Sequence, residues 1–401
     1  MNIKLKQWLI CMMTVGLLTT SSLALATWGH DDDDDDYDHN SLTVCERSAN
    51  KMLRSCRNEV KEEYFAVTAM CINLGDAEER EACFDEARTA RSEDKELCGE
   101  QREARNNVCE ILMEDRYDPE AFLTPGNFKR SPGDGDEGPN NPYFNLTPGH
   151  THVLQGSGGE EEEIVVVTVT EETIELFKEE DVDGVEIEGS GVVCRLVVDI
   201  VLEVDDEELE AVEVTDDYYA QNIHNGDVHY CGEVARNFED GRLVDLDGSF
   251  MAGVDLAKSG ILTRSEPVSG DAHRQEFLLG EAEDVIQYVS VNADQEEEYE
   301  GEPIVNETYP CEGNCVKTEE FIPPEPKDGE FKYFIADIGF VLGVALEDGE
   351  PTGEREELLC TGEADLEGEG GPTLTAVLST CGIDGDTREE LCDLSDAFCL
   401  E

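Results

Sequence analysis

CERSANKMLRSCRNEVKEEYFAVTAMCINLGDAEEREACFDEARTARSEDKELCGEQREARNNVC, residues 45–109, decides the architecture of the N-terminal part of the chain. Its cysteines, Cys45, Cys56, Cys71, Cys83, Cys98 and Cys109, are separated by 11, 15, 12, 15 and 11 positions, a palindrome. The outer, middle and inner pairs of residue numbers share one sum, 154. A constant sum is the signature of an antiparallel hairpin, in which residues i and j lie opposite each other. The spacing therefore predicts three nested disulfides, Cys45–Cys109, Cys56–Cys98 and Cys71–Cys83.

The two arms read as helices. Leu42 to Leu74 contains no Gly or Pro and many strong helix formers. Asn73-Leu74-Gly75 reads as a stop with Gly75 free to take a positive φ, and Asp76 followed by Glu79 as a new start. The second arm runs to about Tyr117, before Pro119. On a helix a step of 11 returns to within about 20° of its face and a step of 15 to within about 60°, so each arm carries its cysteines on one stripe. Three helices with two cysteines each would leave unmatched cysteines roughly 16 Å apart, beyond disulfide reach. No C-x2-C pair of the zinc type occurs in this stretch.

Residues 1–26 have the layout of a secretory signal peptide: Lys4 and Lys6, an apolar run from Trp8 to Leu18, and Ala24-Leu25-Ala26 before the expected cut. Cleavage would remove one of 15 cysteines and leave an even 14, as a disulfide-rich chain outside the cytoplasm requires. The expected location is periplasmic or secreted, and no later apolar run is long enough to span a membrane. Losing Lys4 and Lys6 takes the formal charge from −69 to −71. Such a surface repels nucleic acid and attracts divalent cations.

Residues 27–41 form an acidic segment expected to be disordered, with Asp31 to Asp36 unbroken and His30 and His39 flanking as loose metal ligands. The hairpin covers 42–117, and a Pro/Gly-rich linker 118–141. From 142 to 359 the pattern changes to strands: Ile164 to Val169 and Val192 to Val204 are rich in β-branched residues. Asn225-Gly226 and Asp240-Gly241 mark hairpin turns between strands near 215–223, 228–238 and 242–247. The expected fold class is α+β, a helical hairpin followed by an antiparallel β-meander curled into a barrel or half-barrel. Residues 360–401 read as an acidic tail with a short helix beginning at Asp386. The pairing of the other eight cysteines is open: Cys194 and Cys231 could bridge neighbouring strands, Cys311 and Cys315 could pair locally, and Cys360, Cys381, Cys392 and Cys399 allow three pairings.

The β region resembles a domain of uncharacterised secreted bacterial proteins. The resemblance rests on Asn141-Pro142-Tyr143-Phe144, Leu146, Pro148-Gly149, Tyr219-Ala220-Gln221, Ala252-Gly253-Val254-Asp255, Gly270-Asp271, Arg274-Gln275-Glu276-Phe277 and Gly280-Glu281-Ala282-Glu283-Asp284. It names no chemistry. Three aromatic positions of the pattern are occupied by His152, His229 and His273 in this chain. Cys231 lies two positions from His229 and on a strand faces the same way. Convergence of these four would make a zinc or copper site.

Four Asp-x-Asp stretches, 134–136, 181–184, 245–248 and 384–386, lack the full ligand set of a calcium loop and read as turns. No H-E-x-x-H, G-x-S-x-G, P-loop or G-x-G-x-x-G motif occurs. The leading expectation is a non-enzymatic binding protein whose β domain holds a small apolar or metal ligand. One alternative is an extracellular structural or surface-interaction protein with calcium bridging its acidic faces. A second is a hydrolase without a recognisable motif. Calcium, zinc and copper are the candidate ions, and a small apolar ligand or a surface protein the candidate partners.

Overall fold

The computed structural model of the chain describes residues 42–119, 124–159, 162–179, 186–187, 189–205, 208–239, 241–366, 372–383, 391–392 and 394–395. The signal peptide, the acidic segment with His30 and His39, Asp240, the stretches 181–184 and 384–386, and Cys399 lie outside them. The fold is α+β: a helical pair, then an antiparallel sheet curled into a barrel.

α1 (Val44–Ile72) begins at a capping box, Thr43 with Glu46, and α2 (Ala77–Leu112) begins at Asp76, whose carboxylate accepts from the amides of Glu78 and Glu79. The stop between them differs from the glycine expectation. Asn73 ends α1 in a right-handed conformation, its N–H bonding back to Met70 and Cys71, and Gly75 has no positive φ. The three nested bridges form as their spacing implies, with Cα separations of 5.9, 5.8 and 5.6 Å from the outermost pair inward. α2 stops at Met113, which takes the left-handed conformation at φ 51°. No helix among the described residues is long and apolar enough to cross a membrane.

The strands are β1 (His150–Ser157), β2 (Glu162–Leu176), β3 (Val192–Asp205), β4 (Glu208–Gln221), β5 (Val228–Glu239), β6 (Arg242–Asp245), β7 (Phe250–Met251), β8 (Lys258–Thr263) and β9 (Ala272–Arg274). They continue as β10 (Glu276–Phe277), β11 (Val285–Asp294), β12 (Glu298–Tyr299), β13 (Glu302–Pro303), β14 (Glu312–Phe321), β15 (Asp328–Ile335), β16 (Gly339–Glu347) and β17 (Glu350–Glu363). Around the barrel the neighbours run β8-β5-β4-β3-β2-β1-β17-β16-β15-β14-β11-β9, with every pair antiparallel.

A single segment closes the circle. β9 pairs with β11, and β10, one residue further on, pairs with β8. Gly260 on β8 lies so close to this segment that a Cβ would fall 2.3 Å from the Gln275 backbone, which is why no larger residue fits. The second half of α2 lies along the seam. Arg105 makes a buried two-pronged ion pair with Glu283 (2.6–3.0 Å), Arg274 reaches Glu114, Gln101 donates to the Pro324 carbonyl at 2.7 Å, and the Tyr117 hydroxyl donates to Ser259.

Residues 124–141, expected as a linker, pack across one barrel end. Lys129 is buried, and its ammonium donates to the carbonyls of Asp134 and Gly138 and to Asn140 Oδ1. Gly133 N–H donates to Gln221 Oε1, and Asn141 Nδ2 to the Thr263 carbonyl. Asp134 and Asp245 accept from the amides two residues on, so both Asp-x-Asp stretches are turns. The strand expected to end at 359 runs on to Glu363 as β17. α3 (Leu374–Thr380) then lays Leu374, Val377 and Leu378 on the outer face of the sheet, against Val166, Val198 and Ile200. Cys194–Cys231, Cys311–Cys315 and Cys360–Cys381 are bridged, and Cys392 is disulfide-bonded too. This density of bridges fits an oxidising compartment.

Candidate functional site

Alternation along each strand decides which side chains enter the barrel. On β3, Leu196, Val198, Ile200 and Leu202 pack outward beneath α3, which turns Val197, Asp199 and Val201 inward. Across the ladder, Glu213, Thr215, Asp217, Tyr219 and Gln221 of β4 share that inner face. On the far wall Glu330 and Lys332 of β15 stand opposite Glu320 and Thr318 of β14, with Glu356 of β17 completing the ring. Gly343 on β16 makes room for Glu330, whose carboxylate occupies the place a Cβ would take.

The result is a lumen lined by acids around one lysine. Lys332 Nζ lies 2.8 Å from Glu320 and 3.3 Å from Glu330. Burial alone would lower its pKa, but Glu320 and Glu330 outweigh it and raise it well above the ordinary value. Lys332 and Glu330 each keep 29% of their side-chain surface open although they lie deep in the barrel. Water-sized space therefore lies beside both side chains.

Burial raises the pKa of several of these acids, and the hydrogen bonds around Tyr230 accord with a proton shared among them. The Tyr230 hydroxyl touches both Asp217 Oδ1 and Glu233 Oε2. It has one proton to give, so the second contact needs a proton on a carboxyl group. Glu276 and Asp284 lie close enough that each carboxyl group raises the other's proton affinity or shares its proton. Burial, the largest cause in each case, pushes Asp217 and Asp284 up to about 7 and Glu356 to about 8. Burial also raises Asp199, Glu233 and Glu276, reinforced by the neighbouring carboxylates Asp217 and Asp284. Asp199 Oδ1 is shut off from solvent and makes no hydrogen bond; Gln221 Nε2, on the same inner face and fully buried, makes none either.

The residues expected to bind metal do not share one site. Cys231 is bonded to Cys194 and offers no thiolate. His229 on β5 packs edge-on to Phe128, 5.0 Å between centroids, and His273 on β9 lies 5.6 Å from the Tyr288 ring. These two are close enough for His229 to depress His273 electrostatically. His152 on β1 sits elsewhere, its Nε2 2.9 Å from Nε2 of His150. Burial is the main reason that His152 and His273 fall to about 3 and His229 to about 4, so all three are neutral. Among the described residues, no group of three His, Cys, Asp or Glu side chains is arranged to hold a metal ion.

Sequence reasoning missed the lumen acids and His150. A usable signal existed in Val197-Val198-Asp199-Ile200-Val201, where a lone acid interrupts a β-branched run. Lys332 between Phe331 and Tyr333 is a second case.

No protein-family model and no curated protein matches the chain. Two solved structures show a distant likeness. One, from Bacteroides fragilis, is described as a candidate exported protein with a YmcC-like fold; it is 11% identical, covers 56% of this chain and 100% of its own, and gives a TM-score of 0.30. The other, a candidate lipoprotein from Parabacteroides distasonis, is 10% identical with the same coverage and a TM-score of 0.25. At these values neither carries an argument about this chain.

Proposed function

We propose that the protein is an extracytoplasmic binding protein whose barrel lumen takes up a small cationic ligand, with an organic amine as the best chemical fit. The observation that carries this reading is the lumen in which Lys332 is paired with Glu320 and Glu330, beside Glu356, while Asp199, Asp217, Glu233, Glu276 and Asp284 add further buried acids to the same enclosure. An apolar ligand, the sequence-based expectation, would have to bury these carboxyl groups without partners, at a cost of several kcal/mol. An ammonium ligand accepts them as hydrogen-bond partners, and its charge favours their ionised form. Uptake then exchanges protons for ligand: an acid near 7 or 8 is partly protonated in the empty lumen and loses its proton as the cation enters.

The test is calorimetric titration of the full chain at pH 7.5 with 1,4-diaminobutane and with 1,4-butanediol, in two buffers of different ionisation enthalpy. Saturable binding of the diamine alone, with a buffer-dependent heat that reports proton release, supports the reading. Equal responses to the two compounds, or none, would remove it.

A further inference from the structure

The constant sum that pairs the hairpin cysteines also pairs the residues between them. Val60 stands opposite Asp94, Tyr64 opposite Ala90 and Val67 opposite Ala87, each pair of numbers adding to 154. These six line a hollow of about 170 Å³ in the seam between α1 and α2, framed by the Cys56–Cys98 and Cys71–Cys83 bridges. Ala87 and Ala90 face larger residues across the seam, and the bridges fix the spacing of the helices, so the gap stays open. The bonds that fix the hairpin to the barrel come from its base: Gln101 to Pro324, Arg105 to Glu283 and Glu114 to Arg274. Farther out the hairpin bonds within itself, Arg80 to the Leu74 carbonyl at 2.7 Å and the Arg91 guanidinium 4.5 Å over the Tyr64 ring. Tyr64 and Val67 are left half-buried there, and Phe65, Met70 and Ile72 are more than half exposed.

The hollow is smaller than the roughly 300 Å³ at which small-molecule pockets begin, so it suits one inserted side chain rather than a whole ligand. Positions 60, 64 and 67 on one helix and 87, 90 and 94 on the other recur at intervals of three and four, the pattern that receives the apolar stripe of a third helix. Charge chooses among the occupants. Glu63, Glu86 and Asp94 line the hollow with one cation, Arg91, which is stacked on Tyr64 and whose Nε is shut off from solvent without a hydrogen bond. Burial, then Glu63 and Glu93, raise the Asp94 pKa, so the repulsion among these acids is unrelieved. A second copy would bring the same acids to the same place, and residues 31–36 of this chain are all aspartate. We propose that the seam is a docking groove for a basic amphipathic helix of another protein, which inserts one apolar side chain between Tyr64 and Ala90. Lys or Arg three or four positions away on that helix then meets Glu63, Glu86 and Asp94. This surface is separate from the barrel lumen and does not depend on the proposed uptake of amines.

The probe is a fluorescein-labelled helix of about 18 residues, Leu on one face and Lys on the other, with a scrambled peptide of the same composition as its reference. Fluorescence anisotropy with the full chain should show the amphipathic helix binding about 10-fold tighter or more, and hydrogen exchange should slow at 60–67 and 87–94 when it is bound. Ala90→Trp, which fills the hollow from an exposed position, and Glu63→Lys/Glu86→Lys should each weaken binding about 10-fold or more. Glu81→Lys/Glu96→Lys makes the same charge change at exposed acids of α2 that do not line the hollow, and should leave affinity within about 2-fold. No binding, equal affinity for the two peptides, or equal losses in the two Lys pairs would overturn the groove, the last two because diffuse attraction to an acidic surface explains them. So would self-association of the chain in sedimentation that Ala90→Trp abolishes, which would give the seam to a second copy.

Discussion

The helical hairpin and the barrel carry the same acidic chain by opposite means. In the hairpin most acids lie exposed on the outer helix faces, and three disulfides do the cross-linking at sites visible in the sequence. In the barrel, carboxyl groups are turned inward, and what holds them there is protonation, one lysine and a tyrosine network. A solvated carboxylate costs the fold little; an enclosed one must be neutralised or paired. The hairpin is therefore less sensitive to proton concentration than the barrel. The two are joined at the barrel seam, where α2 covers the segment that closes the sheet.

The comparison is most directly broken at that join. Arg105→Ala leaves Glu283 buried without its partner, and a loss of about 3–5 kcal/mol is expected in denaturant unfolding. Hydrogen exchange should then open at 272–284, while replacement of both partners by apolar residues should restore much of the loss. A smaller effect, about 2–4 kcal/mol, is expected from Cys56→Ala/Cys98→Ala, at the low end because that bridge is nested within Cys45–Cys109. Exchange protection should fall in α1 and α2 and stay intact in β2 to β5. If the barrel strands open as well, the two regions are one cooperative unit.

Acidity sharpens the contrast. The lumen acids have folded pKa values above their unfolded ones, so the native state binds more protons and stability falls as pH rises through the folded values. For Asp217 and Asp284 near 7 and Glu356 near 8 the loss between pH 7 and 9 is roughly 2 kcal/mol. The buried histidines work the other way: depressed to about 3 or 4, they add stability as pH rises towards 6.5 and are silent above it. Thermal unfolding at pH 7, 8 and 9 should show the decline, and Asp217→Asn with Glu356→Gln should flatten it. The smallest effect is expected from Asp199→Asn. Burial raises the pKa of that acid well above the ordinary value and so favours its neutral form, and a neutral isostere should change stability at pH 7 by less than about 1 kcal/mol. A large destabilisation would mean that Asp199 is ionised and paired.

The hairpin was legible because disulfide pairing in an antiparallel pair is a statement about residue numbers, and residue numbers are what a sequence contains. The strands and the Asn225-Gly226 turn were legible for a similar local reason, β-branched runs punctuated by a residue that accepts φ of +81°. The lumen was not. Among 97 Asp and Glu residues, nothing local distinguishes Glu356, which faces inward, from its neighbour Glu357, which pairs with Arg355. The metal expectation failed for Cys231 because strand pairing placed Cys194 within bonding distance. His150, which that expectation did not include, meets His152 and Glu363, the latter 213 positions away.

By itself, then, the sequence determined the helical hairpin, its three bridges, the β character of the remainder and an oxidising compartment, all consequences of spacing and composition. Tertiary structure alone decided that the sheet closes through 272–277, which acids face inward, and which imidazoles meet. Closure depends on register between strands far apart in the chain, and a one-residue slip would send every inward carboxyl to the outside.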